Sequence, residues 1–181
     1  MTHKGTVVLE TERLILRKFR VKDAQKMFEN WASNPNVTKF LTWKPHDNPE
    51  STKLIIDEWI KEYEKDNYYQ WAIELKEIGE PIGSISVVHV HENVNEVEVG
   101  YCIGEKWWHH GYTSEALSRV IDFLFNEVGA KRICALHDTD NPNSGRVMLK
   151  CGLEFEGTLR KSGRNNANPI CDLAVYSILN Y

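Results

Sequence analysis

Along the chain, short runs in which apolar and polar residues alternate are interleaved with runs in which apolar residues recur at helical spacing. In residues 13–19, RLILRKF, Leu14, Leu16 and Lys18 alternate with Ile15 and Arg17, the period of a first strand. VKDAQKMFENWASNP then reads as a short helix with Asp23 as N-cap. Ala24, Met27, Phe28 and Trp31 face inward, and Pro35 stops it. Residues 34–48 are turn-rich yet carry Phe40, Leu41 and Trp43, the pattern of a structured loop. From Pro49, Leu54, Ile55, Trp59 and Tyr63 are spaced for one face of a long amphipathic helix.

YYQWAIEL and PIGSISVVHV are β-rich runs joined by a turn with Gly79 and Pro81, which predicts a hairpin. NEVEVGYCIG alternates Val97, Val99 and Tyr101 against Glu96, Glu98 and Cys102, with Gly100 marking a bulge or a close backbone approach. Ala116, Leu117, Val120, Ile121, Leu124 and Phe125 then recur at helical spacing up to Gly129. KRICALHD predicts a short strand and NPNSGRVMLKCG a turn into a helix stopped by Gly152. LEFEGTLRKSG and PICDLAVYSIL supply a final strand pair. This order implies an α+β fold with flanking helices around a mixed sheet.

Composition narrows the class. The 181 residues suit one domain, 1–181, and 41% hydrophobic with 27% charged residues is an ordinary globular balance. A net charge of -4 argues against a nucleic-acid-coating protein. No stretch approaches the roughly 20 apolar residues of a membrane span, and the N-terminus has no apolar signal core, so a cytoplasmic protein is expected. Cys102, Cys134, Cys151 and Cys171 form no C-x-x-C pair and read as free thiols. Adjacent His109 and His110 cannot readily converge on one ion, and no metal is expected.

The candidate chemistry lies in WWHHGYTSEA. A strand, Glu96 to Ile103, turns into a helix whose first residues are His110, Gly111, Tyr112, Thr113 and Ser114. The first turn of a helix leaves N–H groups unpaired and carries partial positive charge, which suits an anion. Gly111 permits a close approach to the backbone. Glu115 is out of place beside an anion and is expected to point away or pair locally.

Three segments, LETERLILRKF, VEVGYCIGEKWWHHGYTSEAL and NPNSGRVMLKCGLEFEGTLR, in that order resemble the GCN5-related N-acetyltransferases, GNAT. More narrowly they resemble the RimJ/RimL-type branch, which includes ribosomal-protein N-terminal acetyltransferases. The resemblance implies a mixed, largely antiparallel sheet splayed between two parallel strands, with acetyl-coenzyme A between them. It also implies that the backbone of Tyr101, Cys102 and Ile103 pairs with the pantetheine arm. The amides of His109, His110, Gly111, Tyr112, Thr113 and Ser114 would hold the pyrophosphate, Asn141 would contact the arm, and Lys150 would reach the phosphates. Two positions depart from the family's phosphate loop, Trp108 for a polar residue and Thr113 for a small one.

The resemblance makes Glu98 the general base for an amine, with Glu96 the lesser candidate. Met148 stands where many members carry a thiol-protonating tyrosine, which leaves Ser144, either facing the thiolate or capping its helix. Loop 37–47 is a candidate wall of the acceptor slot. The implied reaction moves an acetyl group to a primary amine, a protein N-terminus or a small molecule. The alternative is a coenzyme A sensor without turnover. No membrane partner is expected, and a homodimer is one possible assembly.

Overall fold

In the computed structural model, which describes residues 1–181, eight strands line up in one sheet: β1 (Leu9–Glu10), β2 (Leu14–Arg17), β3 (Gln70–Leu75), β4 (Glu80–His91), β5 (Glu96–Ile103), β6 (Arg132–Asp138), β7 (Glu154–Gly163) and β8 (Cys171–Leu179). Their order is β1-β2-β3-β4-β5-β6-β8-β7. Every neighbouring pair is antiparallel except β5 and β6, which are parallel and joined by a crossover helix.

That parallel pair is short. Glu96, Val97 and Glu98 face Arg132, Ile133 and Cys134, and there the ladder stops. β5 continues to Ile103 on β4, and β6 continues to Asp138 on β8. The sheet therefore splits lengthwise. A register shift between Val87 and His89 lies beside the split, and extra residues of this kind bend a strand. Gly100 leaves room for a side chain from the neighbouring strand, since a Cβ there would sit 3.2 Å from Val88 Cγ1. The irregularity is thus on the neighbouring strand, and Gly100 accommodates the Val88 side chain that it turns toward β5.

The helices are α1 (Ala24–Met27), α2 (Pro35–Thr38), α3 (Pro49–Glu62), α4 (Tyr112–Phe123) and α5 (Pro142–Lys150). On one face of the sheet, Ala116, Leu117, Val120 and Leu124 pack on Val97, Val99, Ile133 and Ala135. On the other, Phe19, Met27, Trp31 and Ile56 form a separate cluster over Ala72. Full burial of such side chains contributes about 2 kcal/mol each.

Some local expectations are corrected. The first helix begins as a 3-10 turn at Val21–Asp23, so Asp23, which precedes α1 without a side-chain cap bond to it, instead accepts the Arg20 N–H at 2.8 Å as part of a capping box one turn earlier. The same carboxylate takes a two-pronged ion pair from the buried Arg17, which also reaches Glu74. Phe28 opens a π turn, Phe28–Ala32, and is only half-buried. In α3 the inward positions are Thr52 and Ile56, and Leu54 is 65% exposed. α4 starts at Tyr112 with Gly111 as N-cap, two residues later than expected. Beyond α4 the helix widens into a π turn, Leu124–Val128, before Gly129 ends it at φ 82°.

Candidate cofactor and acyl-transfer site

Where β5 and β6 diverge, a cleft of about 580 Å³ opens between β5, the turn before α4 and the N-terminal end of α5. Tyr101, Cys102 and Ile103 form its strand wall. They lie beyond the last residue of β5 paired with β6, so their outer side has no neighbouring strand. An extended molecule can take that place by the rules of strand addition.

The turn closes one end. Trp108 is extended, His109 has φ 64° and Gly111 has φ 81°. Left-handed residues alternating with ordinary ones make successive N–H groups converge, forming a concave anion nest. None of the N–H groups of His109, His110 and Gly111 has a hydrogen-bond acceptor. Those of Tyr112, Thr113 and Ser114 open α4 and have none either, and the first bonded amide is that of Glu115, on the Gly111 carbonyl at 3.1 Å. A Cβ on Gly111 would lie 3.6 Å from both Arg13 Nη2 and Lys150 Nζ, so two cations flank the same spot. Unpaired amides, an uncluttered glycine and the unpaired Lys150, with Arg13 close by but held by Glu115, fit a pyrophosphate.

His109, Gly111, Thr113, Ser114 and Lys150 line the cleft. The side chains of His110 and Tyr112 do not: the rings stack on each other, 5.7 Å apart and 10° from parallel, behind the turn. Only the backbone of those two can serve the site. Trp108 donates its indole N–H to the Ile103 carbonyl at 2.9 Å, pinning the turn to the end of β5.

The opposite wall is α5. Asn141 lines the cleft at its N-cap with no side-chain hydrogen bond, and Ser144 follows one turn on. The Tyr101 hydroxyl lies 3.0 Å from the Ser144 carbonyl, to which it donates, and 3.1 Å from Ser144 Oγ. Ser144 therefore spends its hydroxyl across the cleft and not on capping. Burial holds the Tyr101 phenol well above its ordinary value, so it stays a neutral donor. The Tyr101 hydroxyl is the functional group that sequence reading missed: alternation fixes the face of the residue but not its reach to a helix 43 positions away. Met148 is 1% exposed and belongs to the core.

Glu98 does not line the cleft. It stands at the last rung before the split, opposite Cys134 on one side and His89 on the other. Burial raises its pKa above the usual carboxylate range, partly offset by His89 and His91. It has no ion pair or hydrogen bond, whereas Glu96 is held by Arg132 at an unusually close contact. Arg132 also grips Glu156, whose pKa falls to about 2 because of that guanidinium and the Ser177 hydroxyl. Glu98 is the uncommitted carboxylate of the pair.

Val37, Lys39 and Phe40, from the loop expected to wall an acceptor slot, flank the remaining side of this same cleft. A clasp from the connection between β7 and β8 holds that loop. Asn166 and Ala167 donate their N–H groups to the Leu41 and Lys39 carbonyls at 3.2 and 2.9 Å. The Asn166 amide donates to Thr38 and Trp43 carbonyls at 2.9 and 2.7 Å. The base of the clasp is Asp138, which accepts from Asn165 and Asn168 at 2.6 and 2.9 Å. Burial opposes its charge, but these donors and the Asp140 N–H outweigh burial and keep it ionised.

A protein-family profile described as an acetyltransferase (GNAT) domain matches residues 13–154. The chain belongs to the GNAT acetyltransferases. An N-acetyltransferase of Bacillus subtilis, YoaA, is 34% identical over 172 residues, covering 95% of this chain and 96% of that one. The ribosomal protein uS5-alanine N-acetyltransferase of Escherichia coli is 28% identical, over 83% of this GNAT chain and 80% of its own. Among solved structures, RimL, a ribosomal L7/L12 α-N-protein acetyltransferase in complex with coenzyme A, superposes with a TM-score of 0.84. It is 17% identical over 96% of this chain and 98% of that one. The mixed sheet with one parallel pair is the GNAT fold, and the protein is an acetyl-coenzyme A-dependent N-acetyltransferase.

Proposed function

We propose that the protein transfers the acetyl group of acetyl-coenzyme A directly to a primary amine, with Glu98 as general base and Ser144 facing the departing sulfur. The observation that carries this reading is the unbroken run of unpaired amides from His109 to Ser114 at the end of a strand whose outer side is vacant. That pair of features suits a ligand with an extended amide arm and a pyrophosphate. Acetyl-coenzyme A supplies an activated acyl thioester there. Tyr101, Cys102 and Ile103 hold the arm, the turn with Lys150 holds the phosphates, and Asn141 orients the arm from the α5 side.

The two proposed chemical roles lie on opposite sides of β5. Glu98 shares a face with Cys102 by alternation, while Tyr101 reaches the other way to α5. An amine arriving on the Glu98 side gives up its proton there. The Ser144 hydroxyl stands on the other side, and turning its proton from the Tyr101 oxygen to the sulfur would let it meet negative charge there. No stronger acid is needed, because a thiol is a moderately acidic leaving group.

A protein N-terminus is the favoured acceptor class, in keeping with the ribosomal-protein specificity of the E. coli relative. The test is thiol release from acetyl-coenzyme A over a panel of N-terminal peptides and small amines. Peptides with a free N-terminus should turn over, and their N-acetylated forms should not. Cofactor binding without turnover on any amine would instead favour a sensor. Gly111→Glu should abolish cofactor binding, and unchanged affinity would remove the turn from the site.

A further inference from the structure

We propose that Arg13 is a positioning residue for the phosphate-binding turn, holding its backbone in the amide-presenting conformation and neutralising the one carboxylate beside it. This rests on the reading of the turn as the pyrophosphate site.

Arg13 lies at the mouth of β2, far from the turn in sequence, yet its guanidinium is shared between two parts of it. Nη1 donates to the His110 carbonyl at 3.1 Å, a group that no amide of α4 uses. Nε and Nη2 both reach Glu115 Oε2, at 2.7 and 2.6 Å. The other oxygen of Glu115 accepts the Arg13 backbone N–H at 2.9 Å and the Thr11 hydroxyl at 2.5 Å. The guanidinium carbon stands 4.4 Å from the centre of the Tyr112 ring, a cation–π contact.

His110 sits between two left-handed residues, His109 and Gly111. The contact from Arg13 to the His110 carbonyl fixes the peptide plane that joins His110 to Gly111, the step between the left-handed His109 and the left-handed Gly111. The N–H groups on either side of that plane are the unpaired ones.

The charge argument points the same way. A glutamate in the first turn of α4 suits the helix dipole but would repel a phosphate. Arg13 cancels it, and Glu115 in turn anchors the guanidinium. Burial works against the Glu115 charge, but the donors from Thr11 and Arg13 prevail and keep it below its ordinary pKa. The glutamate that is out of place in the sequence is thus half of the device. Of the two expectations, pointing away or pairing locally, it is the local pairing that fails, since the partner is distant in sequence.

The test compares two acetyl donors, acetyl-coenzyme A and S-acetylpantetheine, which has the arm and thioester but no phosphates. In Arg13→Ala the KM for acetyl-coenzyme A should rise by about tenfold or more, with kcat within about twofold. Steady-state constants for S-acetylpantetheine should not move. Arg13→Lys keeps the charge but loses the fork, and should recover only part of the KM. Equal losses on both donors, or an unchanged KM for acetyl-coenzyme A, would overturn the proposal. If Arg13→Ala does not fold, the same split between donors is read from Arg13→Lys, and its absence there is equally decisive. A wild-type protein that binds coenzyme A no better than pantetheine, measured by calorimetry, would instead sink the pyrophosphate reading itself.

Discussion

Glu98 is set apart by what it lacks. Arg132 takes Glu96 and Glu156, leaving Glu98 half-buried and without a counter-ion. Its raised pKa places the acid limb of kcat/KM above the range of an ordinary carboxylate, and Glu98→Gln should remove that limb while leaving cofactor affinity unchanged. A surviving limb would exclude Glu98 as base. The same shift has a sign for stability. Burial of an ionised carboxylate costs the folded state above the raised pKa, and the cost vanishes below the unfolded pKa. Glu98→Gln should therefore raise Tm near neutral pH and not in acid. At this scale the sequence exposes residues whose roles are local, such as Gly111 at a turn. Arg13 and the Tyr101 hydroxyl stay hidden because their partners are set by folding, 97 and 43 positions away.

Among the elements, α5 shows how closely a helix must approach the sheet to form the wall of the cleft. Gly145 is buried against β6, and a Cβ there would meet His137 Nε2 at 2.6 Å and the Tyr176 hydroxyl at 3.0 Å. His137 donates from Nδ1 to the Asp138 carbonyl at 2.7 Å, so its buried Nε2 faces the glycine with no partner. On an exposed helix, Gly→Ala would stabilise by about 1 kcal/mol. Here Gly145→Ala should destabilise by about 1–3 kcal/mol through overpacking, measured by urea unfolding. A net gain in stability would show that α5 can simply lift. Strand periods were legible in the sequence because β4, β5 and β6 alternate or run apolar throughout. Helix edges were less so: Leu54 fits the helical spacing but packs on nothing, since the face of α3 is set by where Trp31 and Phe19 lie.

Across the whole molecule, the clasp ties the C-terminal hairpin to the loop before α3. Its donors belong to the polar connection between β7 and β8, RNNANP, and no local pattern shows their partners near residue 40. Asn166→Ala removes two of the four bonds across that seam. Hydrogen exchange should quicken at residues 38–43 and 164–168 while β3 and β4 keep their protection. Uniform quickening would mean that the clasp is part of the general core. The family and its mixed sheet with one splayed parallel pair were accessible from three ordered segments, whereas this clasp was not.

The parallel ladder ends after Glu98, although β5 runs on to Ile103. On the proposed placement of the cofactor arm, the sheet is completed there by a guest and not by a strand of its own. Occupancy of this seam should be readable without any chemistry, as a rise in melting temperature that tracks the free concentration of ligand. The ordinary cell pool of coenzyme A would then act on this protein as a folding aid as much as a reactant.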